Sequence, residues 1–241
     1  MPLMRDGESA WPGLLRPVRH ALDARRLRLS QFGRLNRTAI IFAGGRATRL
    51  GGVNKALLDV GGVRIIDRIR TALLPLVDEQ ILLVNDATFQ STAGLRVVFD
   101  SEPHAGVLPA LLAGLEAAST EICLAVACDM PFVSREVFEH LLRLQREASA
   151  DVVIPRTAGY LEPMHAVYRT QTVRTAIQAA LERGEQRMIS YFRDVRVREV
   201  DESEWRSIDP IGRAFFNVNT NQDLAEARRL AEPDSQPSAQ G

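Results

Sequence analysis

Cysteine is scarce in this chain. Only Cys123 and Cys128 occur among 241 residues, too few for a disulfide framework or a four-thiolate zinc site. Both lie in one apolar run, and a five-residue separation along a strand turns them to opposite faces. They are expected as free core thiols, which suits a reducing cytoplasm. An excess of either charge is missing as well. Thirty Lys and Arg balance thirty Asp and Glu, so no global field draws in nucleic acid or an acidic membrane. Any taste for anions must come from a local cluster. Long hydrophobic runs are also absent, and none approaches the roughly 20 residues of a membrane span. His20, His104 and His140 show no metal-ligand spacing. The first 37 residues carry many arginines and no lysine, as in "LLRPVRHALDARRLRLSQFGRLNR". They lack the continuous apolar core of a secretory signal. They read as a loosely ordered leader over 1–37, with a basic amphipathic helix as the other option. The tail over 232–241, "EPDSQPSAQG", is polar and proline-bearing and is expected to be disordered.

Between these ends, residues 38–231 alternate short apolar runs with helical patterns. "TAIIF", "EQILLV", "LRVVF" and "EICLAVA" read as strands covered on both faces, as in a parallel sheet between helices. Helical patterns fall over 64–77, 109–118 and 134–149, the last with Ser134 as N-cap and Val137, Phe138, Leu141, Leu142 and Leu144 on one side. "DVVIP", "MHAVY" and "VRVREV" are further strand candidates, while 155–215 breaks the simple alternation. A final helix follows Thr220, with Asp223 three residues on as in a capping box. The order predicts one α/β domain, doubly wound in three layers around a mostly parallel sheet.

Open α/β sheets bind ligands beyond the carboxyl ends of their strands. Four candidates fall there: the glycine stretch after Phe42, Asn85 after "ILLV", Asp100 after "RVVF" and Asp129 after "CLAVAC". The stretch "AGGRATRLGGVNK" fits neither G-x-x-x-x-G-K-[ST] nor G-x-G-x-x-G. Its physics is nonetheless that of a phosphate cradle. Gly44 and Gly45 let amide N–H groups approach an anion without a Cβ in the way. Arg46, Arg49 and Lys55 supply charge for several phosphate oxygens. Asp129, closing a buried strand before Met130 and Pro131, is suited to hold Mg2+ beside a polyphosphate, or else to cap the turn into the next helix. Asn219 in "FFNVNT" offers a second oxygen to that ion, and Asn217 serves equally well as a structural residue. His165 could touch a substrate or be a hydrogen-bonded structural histidine.

These segments together carry a likeness. "FAGGRATRLGGVNKALL", "LLVND", "VVFDS", "AVACDMPFV", "PMHAVYR" and "FFNVNT" resemble the molybdenum cofactor guanylyltransferase family over about residues 38–231. The resemblance implies a Rossmann-like nucleotidyltransferase fold. It also implies transfer of GMP from GTP to molybdopterin-bound molybdenum, giving the guanine dinucleotide cofactor and pyrophosphate, with Mg2+ as cofactor. Nucleotide contacts would fall on Phe42, Ala43, Gly44, Lys55, Asn85 and Asp100, and the metal-binding aspartate on Asp129. GTP and a molybdopterin-type cofactor are the implied partners, with molybdoenzymes or their chaperones downstream. The sequence departs from the family pattern at Thr48, Leu50 and Asn54, where serine, methionine and aspartate are usual. It departs further in "GVLPALLAGL", where Val107, Pro109 and Ala110 replace proline, alanine and glycine. The resemblance implies that this loop bears on the base more than on the chemistry. The alternatives are a cytidylyltransferase or sugar-phosphate nucleotidylyltransferase sharing the loop, or a non-catalytic protein that binds nucleotide or cofactor. A metal-dependent glycosyltransferase would want a D-x-D pair, which Asp129-Met130-Pro131 does not supply.

Overall fold

A computed structural model describes residues 35–43, 54–85, 95–100 and 106–232. Residues 1–34 of the leader, 233–241 of the tail and the glycine stretch from 44 to 53 lie outside them, and the leader's last residue, Arg37, opens the first strand. Strands β1 (Arg37–Phe42), β4 (Glu79–Val84), β5 (Arg96–Phe99) and β6 (Ile122–Ala127) form the parallel heart of the sheet. A two-residue pair, β2 (Asp59–Val60) and β3 (Val63–Arg64), stands apart from it. Beyond β6 come β7 (Val152–Thr157), β8 (Tyr160–Leu161), β9 (His165–Arg169) and β10 (Val197–Val200). The main order is β10-β7-β9-β6-β1-β4-β5, with β8 hairpinned to β7. β9 runs antiparallel to both β6 and β7 and is the exception in the main path of this mostly parallel sheet. The stretch that breaks the sequence alternation therefore supplies the sheet's far edge.

Side-chain alternation divides the core. From β1, Ala39 and Ile41 join one cluster and Ile40 and Phe42 the other. The first face is covered by α1 (Ile65–Leu73), α3 (Arg135–Glu147) and α6 (Asn221–Ala231) through Ile66, Ile69, Phe138, Leu141 and Leu224. The second is covered by α2 (Val107–Ala117) and α4 (Thr170–Glu182) through Leu108, Leu111, Val173 and Ile177. Each such aliphatic side chain, fully buried, contributes about 1.5–3 kcal/mol. Cys123 and Cys128 are free and buried, one in each cluster, as the spacing predicts. Burial pushes the Cys128 thiol up to about 12, helped by the Asp129 charge, so it stays protonated and inert.

The ends of the helices follow local chemistry. Ser134 caps α3 by accepting from Val137 N, and Thr220 with Asp223 forms the capping box of α6. The pattern read as one helix over 64–77 is α1 plus a short 3-10 turn, Leu74–Leu76. Pro75 has no N–H and its ring collides with the preceding turn, so α1 stops at Leu73. α5 (Glu202–Trp205) is a single capped turn that buries Trp205. No helix among the described residues is long and apolar enough to cross a membrane.

Gly114 sets how closely α2 lies on the sheet. A Cβ there would stand 2.8 Å from Ile40 Cγ2 and 3.3 Å from its Cδ1. Alanine is the better helix former, yet Gly114→Ala is expected to destabilise the protein by roughly 1–3 kcal/mol through overpacking. Urea denaturation of the two proteins checks this, and a more stable variant would mean that the helix can ride outward without cost.

Candidate active site

The chain passes from β1 to β4 and β5 on one side, then returns to β6 on the other side of β1. This reversal opens a crevice beyond the carboxyl end of β1, where doubly wound sheets take their ligands. Phe42 and Ala43 stand at that end of β1. The Phe42 ring is packed under α2, its carbonyl accepts from Cys128 N at 3.0 Å, and Ala43 N donates to Leu83 O at 2.8 Å. The chain enters residues 44–53 from this point, so Gly44, Gly45, Arg46 and Arg49 lie outside the described residues. Asn85 directly follows β4. Asp100 follows β5, is buried, and donates its backbone N–H to Val84 O at 2.9 Å. Asp129 follows β6 by two residues. Adjacent strands stand about 4.8 Å apart, so β6 and β5, three spacings apart, lie roughly 14 Å from one another along this rim.

Lys55 and Asp129, 74 positions apart in sequence, meet here. Lys55 Nζ donates to Asp129 Oδ2 at 3.0 Å and to Asn219 Oδ1 at 2.6 Å. Both members of the ion pair are about four-fifths buried. Each is held from its own side. Asn54 caps the 3-10 turn Lys55–Leu57, its side chain accepting from Ala56 N, and Ala56 is fully buried beneath. The exchange of aspartate for Asn54 thus keeps the cap and removes only the charge. Asp129 O accepts from Val218 N at 2.9 Å, stitching "CDMP" to "NVNT". Asp223 then clamps Asn219 N and Thr220 N with one carboxylate oxygen, at 2.9 and 2.8 Å, while capping α6. Asn217 turns away and donates to Phe215 O, a structural role.

The donor set suits a hard cation. Asp129 Oδ1 is buried and has no hydrogen-bond partner, and the amide oxygen of Asn219 faces the same point that Oδ2 does. A carboxylate and an amide oxygen beside a phosphate site are what a small divalent ion asks of a protein. Among the described residues no cluster of three or more His, Cys, Asp or Glu exists, so the ion would rely on substrate oxygens for the rest of its shell.

Two features of the site went unread in the sequence. Lys55 is the only lysine in the chain, every other basic residue being arginine. At this one position the protein uses a compact, mobile ammonium in place of a planar fork. Glu162 is the other. β9 runs antiparallel to β6 with Val126 opposite His165, and Ala127 N donates to Met164 O, so Glu162 arrives beside Asp129. Burial holds its carboxyl above the usual range, and the Asp129 charge adds to that, against the hydrogen bond from Thr157. A carboxylate that no Lys or Arg among the described residues pairs with, next to a second carboxylate, is the kind of cost that functional rims carry.

His165 lies in the core, with Nε2 buried and without a hydrogen-bond partner. Its ring is fully buried, stacked on Phe138 and tilted against Phe215 at 4.6 Å each, with Nδ1 3.4 Å from Met130 Sδ. Val107, Pro109 and Ala110 form the first turn of α2, where a proline loses no hydrogen bond, and Gly106 precedes it at φ 117°. The altered loop is therefore sterically at ease.

Comparison with known proteins adds identity to geometry. The family model described as the MobA-like NTP transferase domain matches residues 39–199. A protein of Pelotomaculum thermopropionicum named "Probable molybdenum cofactor guanylyltransferase" is 38% identical over 82% of this chain and 95% of its own length. The crystal structure of molybdopterin-guanine dinucleotide biosynthesis protein A from Archaeoglobus fulgidus superposes with a TM-score of 0.68 at 24% identity, covering 80% of this chain and 97% of that one. That of 2-C-methyl-D-erythritol 4-phosphate cytidylyltransferase from Thermus thermophilus gives 0.60 at 22%, covering 80% and 98%. The last two likenesses establish the fold.

The buried His165 makes acid pH a probe of the rim's supporting core. Burial lowers its pKa from 6.5 to about 3. Between those values the unfolded ring takes up a proton that the folded ring refuses, so stability present above pH 6.5 is lost as pH falls, by at most about 1.4 kcal/mol per pH unit. His165→Phe is expected to flatten this part of the curve in denaturation measured from pH 6.5 downward. An unchanged slope would assign the proton uptake to other groups.

Proposed function

The chain belongs to the MobA-like NTP transferase domain family, and from that premise we propose that it transfers GMP from GTP to molybdopterin-bound molybdenum cofactor. The products are the guanine dinucleotide form of the cofactor and pyrophosphate. The observation that carries this reading is the meeting of Lys55, Asp129 and Asn219 at the rim of the sheet. Family membership and the name of the Pelotomaculum relative support it.

In the proposed step, an oxygen of the pterin's terminal phosphate attacks the α-phosphorus of GTP. The bond from that phosphorus to the bridging oxygen breaks, and pyrophosphate leaves with the electron pair. Little covalent work falls to the protein, so alignment and charge stabilisation dominate. Lys55, together with Arg46 and Arg49 of the glycine stretch, neutralises the β- and γ-phosphates and the charge that grows on the leaving group. Gly44 and Gly45 offer backbone amides to the same oxygens. Asp129 and Asn219 would hold Mg2+, which when bound lowers the repulsion between the attacking oxygen and the α-phosphate. Asn85 and Asp100, along the rim toward β5, are assigned to the base and ribose, with Phe42 and Ala43 as the floor. A cytoplasmic site of action fits two free buried thiols. Molybdoenzymes or their chaperones are the receivers in this scheme.

The first turn of α2, with Val107, Pro109 and Ala110, favours keeping one second reading: the same chemistry with CTP. Thermal shift with GTP, CTP, ATP and UTP in magnesium separates the two. Selective stabilisation by GTP is expected, and selectivity for CTP would move the assignment to a cytidylyltransferase. Lys55→Ala and Asp129→Ala are expected to stay folded and to lose on the order of 10²–10³ in pyrophosphate release, the scale of one lost charge contact. Near-normal turnover in either would remove it from the chemistry.

A further inference from the structure

Lys55 does two things that cannot happen at once. In the proposed reaction its ammonium serves the phosphates. In the structure it sits between Asp129 Oδ2 and Asn219 Oδ1, at 3.0 and 2.6 Å, the two oxygens assigned to a divalent ion. We propose that Lys55 and the divalent cation compete for one seat, so that the ion is admitted together with a triphosphate and is held off without one. This rests on the guanylyltransferase reading of the same site.

Four observations carry it. The Lys55–Asp129 pair is charge-neutral and mostly buried, so a second cation entering beside the ammonium would meet a like charge at close range with little water between. The backbone that carries these oxygens is fixed: Asp223 accepts from Asn219 N, and the Asp129 carbonyl accepts from Val218 N. The exchange must therefore be made by the moving part, the four-carbon stem of Lys55. The residue type agrees. In a chain whose other basic residues are all arginine, this position alone has a compact ammonium that fits between two oxygens and can swing away. Asp129 Oδ1, buried and without a partner, is left for the incoming ion. A triphosphate gives the ammonium a better anion to move to and brings oxygens that complete the ion's shell. The physical consequence is ordered entry: an empty site is plugged by its own lysine and does not fill with free metal.

The probe is Mn2+ alone, with no nucleotide present, its bound fraction read by electron paramagnetic resonance. Wild-type protein should bind it weakly. Lys55→Met should bind on the order of tenfold more tightly, the usual size of coupling between linked sites. Adding Asp129→Asn to that variant should abolish the gain. Equal Mn2+ affinity in wild type and Lys55→Met, or a gain that survives Asp129→Asn, would overturn the proposal. A second readout needs no variant. Since the chain has a single lysine, isotopically labelled lysine gives one side-chain NMR signal. It should stay put with Mg2+ alone and shift when a non-hydrolysable GTP analogue and Mg2+ are added together. A shift with Mg2+ alone, at concentrations that fill the site only when nucleotide is present, would overturn the ordered entry. A signal that ignores the nucleotide while Lys55→Met still gains Mn2+ affinity would sink the guanylyltransferase reading and leave the shared seat standing.

Discussion

The contact between Lys55 and Asp129 is the constraint around which the site is organised. It joins the segment leaving β1 to the segment leaving β6 across a reversal in strand order. A mostly buried ammonium without a carboxylate, or the reverse, carries an unpaired charge in a lowered dielectric until a substrate or an ion supplies the opposite one. As a surface decoration the pair would be nearly worthless. Its value is positional, because it marks where an anion's charge and a cation's charge are both wanted.

The rest of the fold serves that placement. Strands apolar on both faces fix β6, β1 and β4 in a parallel row, so that their carboxyl ends share an edge. Gly114 lets α2 lie close beneath that edge. The far side of the molecule contributes as well. β9 returns antiparallel against β6 and delivers Glu162, while the capping box of α6 delivers Asn219. One carboxylate, Asp223, thereby starts a helix and orients a candidate ligand. Local helix chemistry and site geometry are here the same interaction.

Much of this was legible in the residues. Continuous apolar strands announced a sheet covered on both faces, and strand-end positions sorted Asn85, Asp100 and Asp129 onto one edge before any coordinates. Thr220 with Asp223 announced the last helix and its cap. What stayed hidden is what depends on pairing between distant segments. Nothing local says that β9 runs against β6, so Glu162 could not be set beside Asp129. Nor does spacing reveal that Lys55 reaches both Asp129 and Asn219, because that contact bridges 164 residues. A helix pattern over 64–77 overran its true end because apolar periodicity continues through Pro75 while the backbone cannot. One signal was available and unused: a single lysine among so many arginines already marked position 55 as unlike the others.

The central claim is that one triphosphate spans the rim from Asp129 and Lys55 toward Asn85 and Asp100. A crystal structure with a non-hydrolysable GTP analogue and magnesium tests it most directly. The account expects the phosphates against Lys55 and Asp129, with the guanine lying toward β5. Nucleotide density on another surface, with Lys55 still seated on Asp129 and Asn219, would contradict it.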